Sequence, residues 1–333
     1  MSFQIVHSLP DDVWDSFALQ HPDGNIFHTR EMFEVWKRTK GYRPELWAVL
    51  KNDILTTMML PVHISLWDGL FKNLTTRTVG FGDILSVSDR EKDLGFFIEN
   101  YQKETKNTLF TELRFHSTAR AQQSFLGNYG FRFLDHSNYL VDLSGSSEQI
   151  WRNVSKSTRR NIRKAWNRKE FVVEELVDSK KLDIWYALVK MSFERARVPL
   201  ADISMFRAAF DILCPKGMVQ FLLGRHETTY VAASASLLYK DAIYGWYRGF
   251  DRAFAKYIPN DLMVWYLLDW GAQHGYAVFN FGGAGDPNEG YGPRDFKAKF
   301  GGKFVNLGRS AYAHRPIVLA VSKAGYKLFR GFL

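Results

Sequence analysis

The sequence feature that most constrains the fold is a weak internal repeat on the scale of a whole domain. Each half of the chain reads as β-strands, then a helix that ends in "NYGF" or "QHGY", then another strand. Strands that alternate with helices are typical of α/β domains. A chain of 333 residues has room for two of them. The sequence therefore predicts a mixed α/β fold in two tandem domains.

The segment "SGSSEQ" (144–149) is the best candidate for a link between the domains, because small polar residues interrupt the apolar pattern there. We place the first domain at 1–145 and the second at 146–316. The last residues, 317–333, are expected to pack back on the first domain. The alternative for this tail is a helix on a membrane surface, since its Lys, Arg and Phe side chains could form an amphipathic face.

Charge and cysteine content limit the partners and the location. The formal net charge of +9 favours a polyanionic partner such as nucleic acid, nucleotide phosphates or an acidic membrane surface. The single cysteine, Cys214, excludes an internal disulfide, and no histidines have metal-ligand spacing, so we expect no metal site. No signal peptide or membrane-spanning run is evident. We expect a cytoplasmic protein that could also contact the inner face of the membrane.

The densest charge cluster is "KSTRRNIRKAWNRK" (156–169). A helix start that carries arginines binds phosphate well, because backbone N–H groups and guanidinium forks both favour an oxyanion. Ser155 or Ser157 could cap this helix. A solvated amphipathic helix without a ligand is the alternative. The candidate substrate-binding residues of this segment are Arg159, Arg160, Arg163 and Lys164.

Two stretches nearer the C-terminus could carry chemistry. In "YGWYRG" (244–249), strand alternation predicts Trp246 and Arg248 on one face and Tyr247 on the other, where each side could contact substrate or simply form an aromatic core. In "DFKAKF" (295–300), a lysine held between phenylalanines suits acyl transfer to an amine, since a fixed cation stabilises the negative charge that develops on the carbonyl oxygen. An ordinary surface lysine is the alternative there.

These stretches together resemble one family. "SKSTRRNIRKA" before a strand resembles the basic segment of FemAB-like transferases, which are peptidoglycan interpeptide-bridge enzymes and acetyltransferase-like relatives. The order "IYGWYRG … PNDLMVWYLLDWGAQHGYAVFNFGGAG … DFKAKFGG" resembles their second domain, and "NIFHTREMFEVWKR" is similar to their opening helix. The resemblance covers most of the chain. It implies two tandem domains of the GNAT-like acyl-CoA N-acyltransferase fold, with the catalytic motif in the second.

The resemblance also implies roles for individual residues. The family's oxyanion-stabilising lysine matches Lys297, with Phe296 before it, and its substrate-contacting tyrosine matches Tyr247. A phosphate-binding lysine of the opening helix matches Lys37. Asp251 is a further candidate for substrate binding. The proton that the attacking amine must lose could pass to Tyr247, to Asp251 or to the substrate itself.

The chain departs from the family at several points. His116 stands where the family has an acidic residue after the first-domain "LRF" strand, and only Arg195 or Arg197 could replace an arginine that contacts nucleotide phosphates. The coiled-coil arm of some members and the coenzyme A signature [RQ]xxGx[GA] are both missing. These departures leave the acceptor and the donor open.

The implied activity is transfer of an acyl or aminoacyl group, from aminoacyl-tRNA or acyl-CoA, to an amine of a cell-envelope precursor, with no bound cofactor. An acyl-CoA N-acyltransferase that modifies a sugar amine in exopolysaccharide biosynthesis is the second hypothesis. A non-catalytic basic module that docks on nucleic acid or anionic lipid is the third.

Overall fold

The computed structural model describes residues 2–65, 75–87, 90–117 and 120–321. The chain divides into two compact units, the first ending at Asp135 and resuming at Leu307, the second spanning His136–Asn306. Both boundaries lie ten residues before those that the sequence suggested. The reason is strand pairing, because residues 137–142 pair within the second unit and residues 309–313 within the first.

Ten α-helices and seventeen strands lie wholly within the described residues. The helices are α1 (Asp11–Gln20), α2 (Arg30–Lys37), α3 (Arg90–Glu104), α4 (Arg120–Gly127), α5 (Ser147–Asn153), α6 (Lys156–Trp166), α7 (Leu182–Ala196), α8 (Ile203–Leu213), α9 (Pro259–Gln273) and α10 (Gly292–Ala298). The strands are β1 (Phe3–Val6), β2 (Tyr42–Pro44), β3 (Trp47–Lys51), β4 (Ile54–Met59), β5 (Pro61–Ile64), β6 (Arg77–Gly80), β7 (Leu85–Ser86), β8 (Phe110–Arg114), β9 (Arg132–Leu134), β10 (Ser137–Asp142), β11 (Phe171–Glu175), β12 (Val219–His226), β13 (Thr229–Tyr239), β14 (Ala242–Phe250), β15 (Val278–Gly283), β16 (Lys303–Asn306) and β17 (Arg309–Ala313). The predicted α/β class with mixed sheets is confirmed.

The first unit contains two sheets, of order β1-β3-β4-β7 and β2-β5-β6-β8-β17-β9. The hairpin β3–β4 turns at Asn52 and Asp53, which both adopt positive φ, as a two-residue hairpin requires. β6 and β8 are parallel, and α3 lies between them in the chain. The fully buried rings of Trp36, Trp47 and Tyr101 belong to the core of this unit.

The second unit is built on one sheet of order β11-β12-β13-β14-β15-β10-β16. β14 and β15 are parallel and α9 joins them. Alternation along β12 supplies two cores, since Phe221 packs against Trp185 of α7 while Leu222 belongs to a cluster with α9 residues such as Leu262. α7 and α8 therefore cover one face of the sheet, and α5, α6 and α9 cover the other.

The internal repeat exists, but its elements match differently from the prediction. The helix that joins two parallel strands is α3 in the first unit and α9 in the second. The counterpart of α9 is therefore α3, and not the "NYG"-ending helix α4, which leads to β9. A short motif such as "NYG" shows only that a glycine ends a helix. The repeat is defined by which strands pair.

Two segments that the sequence singled out are the predicted link "SGSSEQ" and the C-terminal tail. "SGSSEQ" holds a helix start, because Ser146 caps α5 and the Gln149 side chain accepts from the Ser146 N–H at 2.8 Å. Residues 316–321 are helical, with Ile317 and Val321 exposed. The remainder of the tail, 322–333, lies outside the described residues. Within the described part of the chain no helix has the length and apolar character needed to cross a bilayer.

Candidate active site

The candidate site of the second unit lies where β14 and β15 stop pairing. Their parallel register runs only from Ala242 opposite Val278 to Tyr244 opposite Asn280. On its other edge β14 carries a bulge, since Gly245 and Tyr247 pair with successive residues of β13 and Trp246 is left over. A bulge beside the end of a strand pair re-aims the side chains that follow it.

The bulge overturns the predicted alternation. The rings of Trp246 and Tyr247 both contact Phe206 of α8, with centroids 5.6 and 4.8 Å away. The guanidinium of Arg248 points to the opposite side of the sheet, 5.7 Å from the Phe281 ring and 5.6 Å from the Phe296 ring. Arg248 and Trp246 therefore lie on different faces, because the extra residue shifts the period of two by one step.

Lys297 of α10 is 7% exposed and ends against the C-terminal end of β15. Its Nζ donates to the carbonyl oxygens of Phe281, Gly282 and Gly283 at 2.9, 2.9 and 2.7 Å. Burial and, to a smaller extent, the charge of Arg248 together lower the pKa of Lys297 to about 7. The three carbonyls oppose this shift, since only the ammonium form has three N–H donors to give.

Arg248 is a second, half-buried cation beside Lys297. Its Nη1 is buried and has no hydrogen-bond partner in the described part of the chain. Burial lowers the pKa of Arg248 to about 10, whereas Asp261 in the first turn of α9 opposes that shift. Burial also raises the pKa of Asp261. Sequence reasoning missed Asp261, although an acidic residue in the first turn of a predicted helix was visible.

The rest of the "DFKAKFGG" stretch positions this lysine. Phe300 is fully buried, and Lys299 is exposed with its Nζ 5.3 Å from the Phe296 ring. Gly301 has φ +75° and lies so close to α5 that an added Cβ would be 2.4 Å from the Asn153 carbonyl oxygen. Only glycine fits there, so the turn fixes where α10 ends.

Tyr247 and Asp251, the two protein candidates for the proton acceptor, both have packing or capping roles. The Tyr247 ring is partly buried and lies 5.4 Å from the Phe193 ring of α7. The Asp251 carboxylate caps the 3₁₀ turn Arg252–Tyr257 by accepting from the Ala253 N–H at 2.9 Å. A carboxylate oxygen held by a cap is a weaker candidate for a base than a free one.

The basic segment forms an open groove of about 1030 Å³ along α5 and α6. Arg159 donates to the carbonyls of Trp151 and Arg152 at the end of α5, and Arg163 lies 5.7 Å from the Trp151 ring. Ser155 is the cap of α6. The groove brings together all four candidate residues of this segment, Arg159, Arg160, Arg163 and Lys164. It adds Lys156, which belongs to the predicted charge cluster but was not a candidate, and Arg152, which sequence reasoning missed.

Two predicted residues lie in the first unit. Lys37 is exposed and pairs with Glu34 at 3.1 Å, one turn away on α2. An acid does lie beside His116, because the Asp83 carboxyl group accepts from the His116 N–H at 3.2 Å and from the Ser117 hydroxyl at 3.1 Å. Burial raises the pKa of Asp83 to about 7 and lowers that of His116 to about 4. Sequence reasoning missed Asp83 because it comes from another loop.

The chain is similar to known proteins both in the sequence of its second unit and in its fold. Residues 152–298, somewhat less than half of the chain, match the family model of the acetyltransferase (GNAT) domain. No curated protein sequence matches the chain. In fold, the chain is similar to FemX, with TM-score 0.72 and 14% identity over 97% of this chain and 100% of that one. The chain has a tandem GNAT fold.

Two further structures support the same fold. A tandem GNAT protein from the clavulanic acid biosynthesis pathway has TM-score 0.62 and 10% identity, over 95% of this chain and 99% of that one. The C-terminal domain of a protein assigned as a lysylphosphatidylglycerol synthetase in Agrobacterium fabrum has TM-score 0.59 and 12% identity, over 94% of each chain. The predicted tandem GNAT fold is confirmed, and the FemAB-like resemblance is confirmed at the level of the fold. Among the described residues no cluster of three or more His, Cys, Asp or Glu side chains could hold a metal ion.

Proposed function

We propose that the protein transfers an acyl or aminoacyl group to an amine of a cell-envelope precursor. The GNAT match of residues 152–298 supports acyl transfer. One structural relative is named as a lysylphosphatidylglycerol synthetase, an enzyme name that refers to lysine joined to a membrane lipid. This name supports the cell envelope as the setting. The observation that carries the proposal is a pair of cations at the open end of β14 and β15: buried Lys297, and half-buried Arg248 with its buried Nη1.

The chemistry assigned to these cations is stabilisation of an oxyanion. The amine nitrogen attacks the carbonyl carbon, and the carbonyl oxygen gains negative charge in the tetrahedral intermediate. Arg248 has a buried Nη1 with no partner in the described part of the chain, so it offers a donor to that oxygen. Lys297 uses its donors on the three carbonyls of β15, so it acts through its charge and by holding the strand end in place.

The transfer needs no base from the protein. When the C–S bond of an acyl-CoA or the C–O bond of an aminoacyl-tRNA breaks, the leaving thiolate or alkoxide takes the proton that the amine loses. This assignment fits the structure, in which the Asp251 carboxylate caps a turn. It corresponds to the third of the predicted options, the substrate itself.

The groove along α5 and α6 is the proposed binding surface for the donor. Both candidate donors carry phosphates, and guanidinium groups bind phosphate with two parallel hydrogen bonds. Arg160, Arg163 and Lys164 are exposed in this groove and available to such a ligand. A groove of this charge also suits the second hypothesis, an acyl-CoA enzyme that modifies a sugar amine, so the donor must be identified by experiment. We propose a cytoplasmic enzyme with peripheral membrane contact.

The test is a transfer assay with a panel of charged tRNAs and acyl-CoAs, which follows loss of the activated bond and gain of an amide. We expect one donor class to react. Lys297→Met, which keeps the volume of the side chain and removes its charge, should lower turnover by about 10²- to 10³-fold with little change in KM. Lys299→Met is the matched control and should retain turnover.

Two outcomes would contradict the proposal in different ways. If no donor loses its activated bond while the protein still binds RNA or anionic vesicles, the non-catalytic docking module is the better hypothesis. If a donor reacts and Lys297→Met turns over like the parent, the activity stands and the role of Lys297 is wrong. Far-UV circular dichroism of both variants shows whether a loss of activity comes from misfolding.

A further inference from the structure

A small cavity of about 250 Å³ lies in the second unit beside the first turn of α9, and we call it the α6–α9 pocket. One face of α6 lines it, since Asn161, Lys164 and Ala165 follow helical spacing and Arg168 comes just after the helix. The other walls are the start of β11, the end of β12 and the turn before α9. Two strands, β13 and β14, lie between β12 and β15 in the sheet. The pocket is therefore distinct from the site at Lys297.

The inside of the α6–α9 pocket is apolar and aromatic. Phe171 and Leu262 line it and are buried. The ring of His226 is also buried and lies against the Tyr257 ring, with their centroids 3.9 Å apart. Ile258 has φ +52°, which β-branched residues rarely adopt, so the turn holds this residue at the pocket against its conformational preference. These residues offer a ligand an apolar surface.

The rim of the pocket carries three cations. Lys164, Arg168 and Lys256 line the pocket and are exposed. Within the described residues none of the three makes an ion pair, and the Lys256 Nζ lies 4.9 Å from the centroid of the Tyr257 ring. All three charges are therefore available to a ligand.

One acid and one imidazole complete the lining. The Nε2 atom of His226 is buried and makes no hydrogen bond in the described part of the chain. The Oε2 atom of Glu170 is 3.5 Å from it, so a protonated His226 balances the charge of Glu170. The three rim cations then have no counter-charge. A buried polar atom without a hydrogen bond is unfavourable, and an oxyanion in the pocket would supply an acceptor beside it.

We propose that the α6–α9 pocket binds a small organic anion, an aromatic or apolar body that carries one carboxylate or phosphate. The interior takes the body, and the rim cations take the oxyanion through charge-assisted hydrogen bonds. The volume is below the roughly 300–1,000 Å³ of sites for drug-sized ligands, so the pocket suits a single ring with its anionic group and not a whole acyl-CoA.

The pocket is a neighbour of the proposed donor surface. Lys164 lines both the α6–α9 pocket and the groove along α5 and α6. The ligand of the pocket does not have to take part in the transfer, so this proposal stands whether or not the proposed reaction does.

The test is isothermal titration calorimetry of the full chain with phenyl phosphate and, separately, with benzoate, at constant ionic strength. Inorganic phosphate and benzyl alcohol are the matched ligands, since the first lacks the ring and the second lacks the charge. We expect at least one aromatic anion to bind about tenfold or more tightly than both, because the ring buries apolar area and the anion meets the cations. The tighter of the two aromatic anions identifies the oxyanion. If neither binds more tightly than the matched ligands, the proposal is wrong.

Three variants locate the binding in the pocket. Arg168→Gln and Lys256→Gln should each weaken binding of the aromatic anion by about fivefold or more, because each removes a charge from the rim. Ala165→Leu narrows the pocket and leaves its charge unchanged, so it should weaken the aromatic anion more than inorganic phosphate. Far-UV circular dichroism shows whether Ala165→Leu is folded, and the two variants of exposed cations decide the question if it is not.

Arg160→Gln is the matched control, because Arg160 lines the groove and not the pocket. This variant should bind the aromatic anion like the parent. Equal losses of affinity in Arg160→Gln and Arg168→Gln would place the anion in the groove and overturn the proposal.

Discussion

The two units place opposite types of group, an acid and a cation, at the same point of their folds. In the first unit, β6 and β8 are parallel, and the loop after β6 supplies Asp83, which accepts hydrogen bonds from the residues after β8, His116 and Ser117. In the second unit, β14 and β15 are parallel, and Lys297 donates to carbonyls at the end of β15. A buried acid therefore stands in one unit where a buried cation stands in the other.

The contrast between Asp83 and Lys297 shows that the two units share a structural requirement. They do not share a chemical role. Parallel strands that diverge leave backbone groups without a ladder partner, and buried groups of this kind need a hydrogen bond from elsewhere. In the first unit a carboxyl group accepts from these N–H groups, and in the second an ammonium group donates to the carbonyls. Only the second arrangement concentrates positive charge where an oxyanion could form, which agrees with the GNAT match of residues 152–298.

The largest expected effect concerns the acid of the first unit. The folded-state pKa of Asp83 is about 7 against an ordinary value of 3.8. Between these values the folded state holds a proton that the unfolded state releases, so stability falls as the pH rises from about 4 to 7. Asp83→Asn cannot ionise, and the parent should lose up to about 4 kcal/mol relative to it across this window. Urea unfolding at pH 4.5 and 7.5 measures the change.

His28 and His116 lie beside Asp83 and are present in both proteins, so their own titration cancels to first order in this comparison. A difference in stability that stays constant between the two pH values would contradict the buried, protonated carboxyl. It would also remove the contrast between the two units.

A smaller expected effect, on the free energy of unfolding, tests how the second unit holds α10, the helix that carries Lys297. Gly301→Ala places a methyl group against the Asn153 carbonyl at a positive φ, so it adds a backbone clash to conformational strain. Gly217→Ala is the matched control, because Gly217 has φ +63° with open space around it. We expect about 1 kcal/mol of destabilisation for Gly217→Ala and roughly 2 kcal/mol more for Gly301→Ala. Equal losses in urea unfolding would show that the contact with α5 does not fix α10.

The sequence predicted the elements better than their partners. The helix that ends in "QHGY", now α9, and the strand at "YGWYRG", now part of β14, follow from periodicity and glycine stops. The equivalence of α3 and α9 does not, because it depends on strands paired across the sheet. The domain boundary was displaced for the same reason, since β10 joins a sheet whose other strands come later in the chain.

The candidate site shows the same limit. The resemblance singled out Lys297 and Phe296 through their order in the chain, and the structure places Lys297 inside and Lys299 outside. Residue order could not reveal that a bulge turns Arg248 away from Trp246. It could not reveal Asp83 either, because the chain separation from His116 is 33 residues and only the fold closes it.

The smallest expected effect separates the groove from the buried cations within the second unit. Arg160 and Lys164 are exposed in the groove, so each contributes to donor affinity through phosphate contacts that salt screens. Arg160→Ala and Lys164→Ala should each weaken donor binding by about five- to tenfold and reduce the salt dependence of log K by about one unit. Lys303→Ala, an exposed cation on β16 outside the groove, is the control. Turnover at saturating donor should not change, and a variant that loses turnover with unchanged donor affinity would place the groove in the chemical step and not in binding.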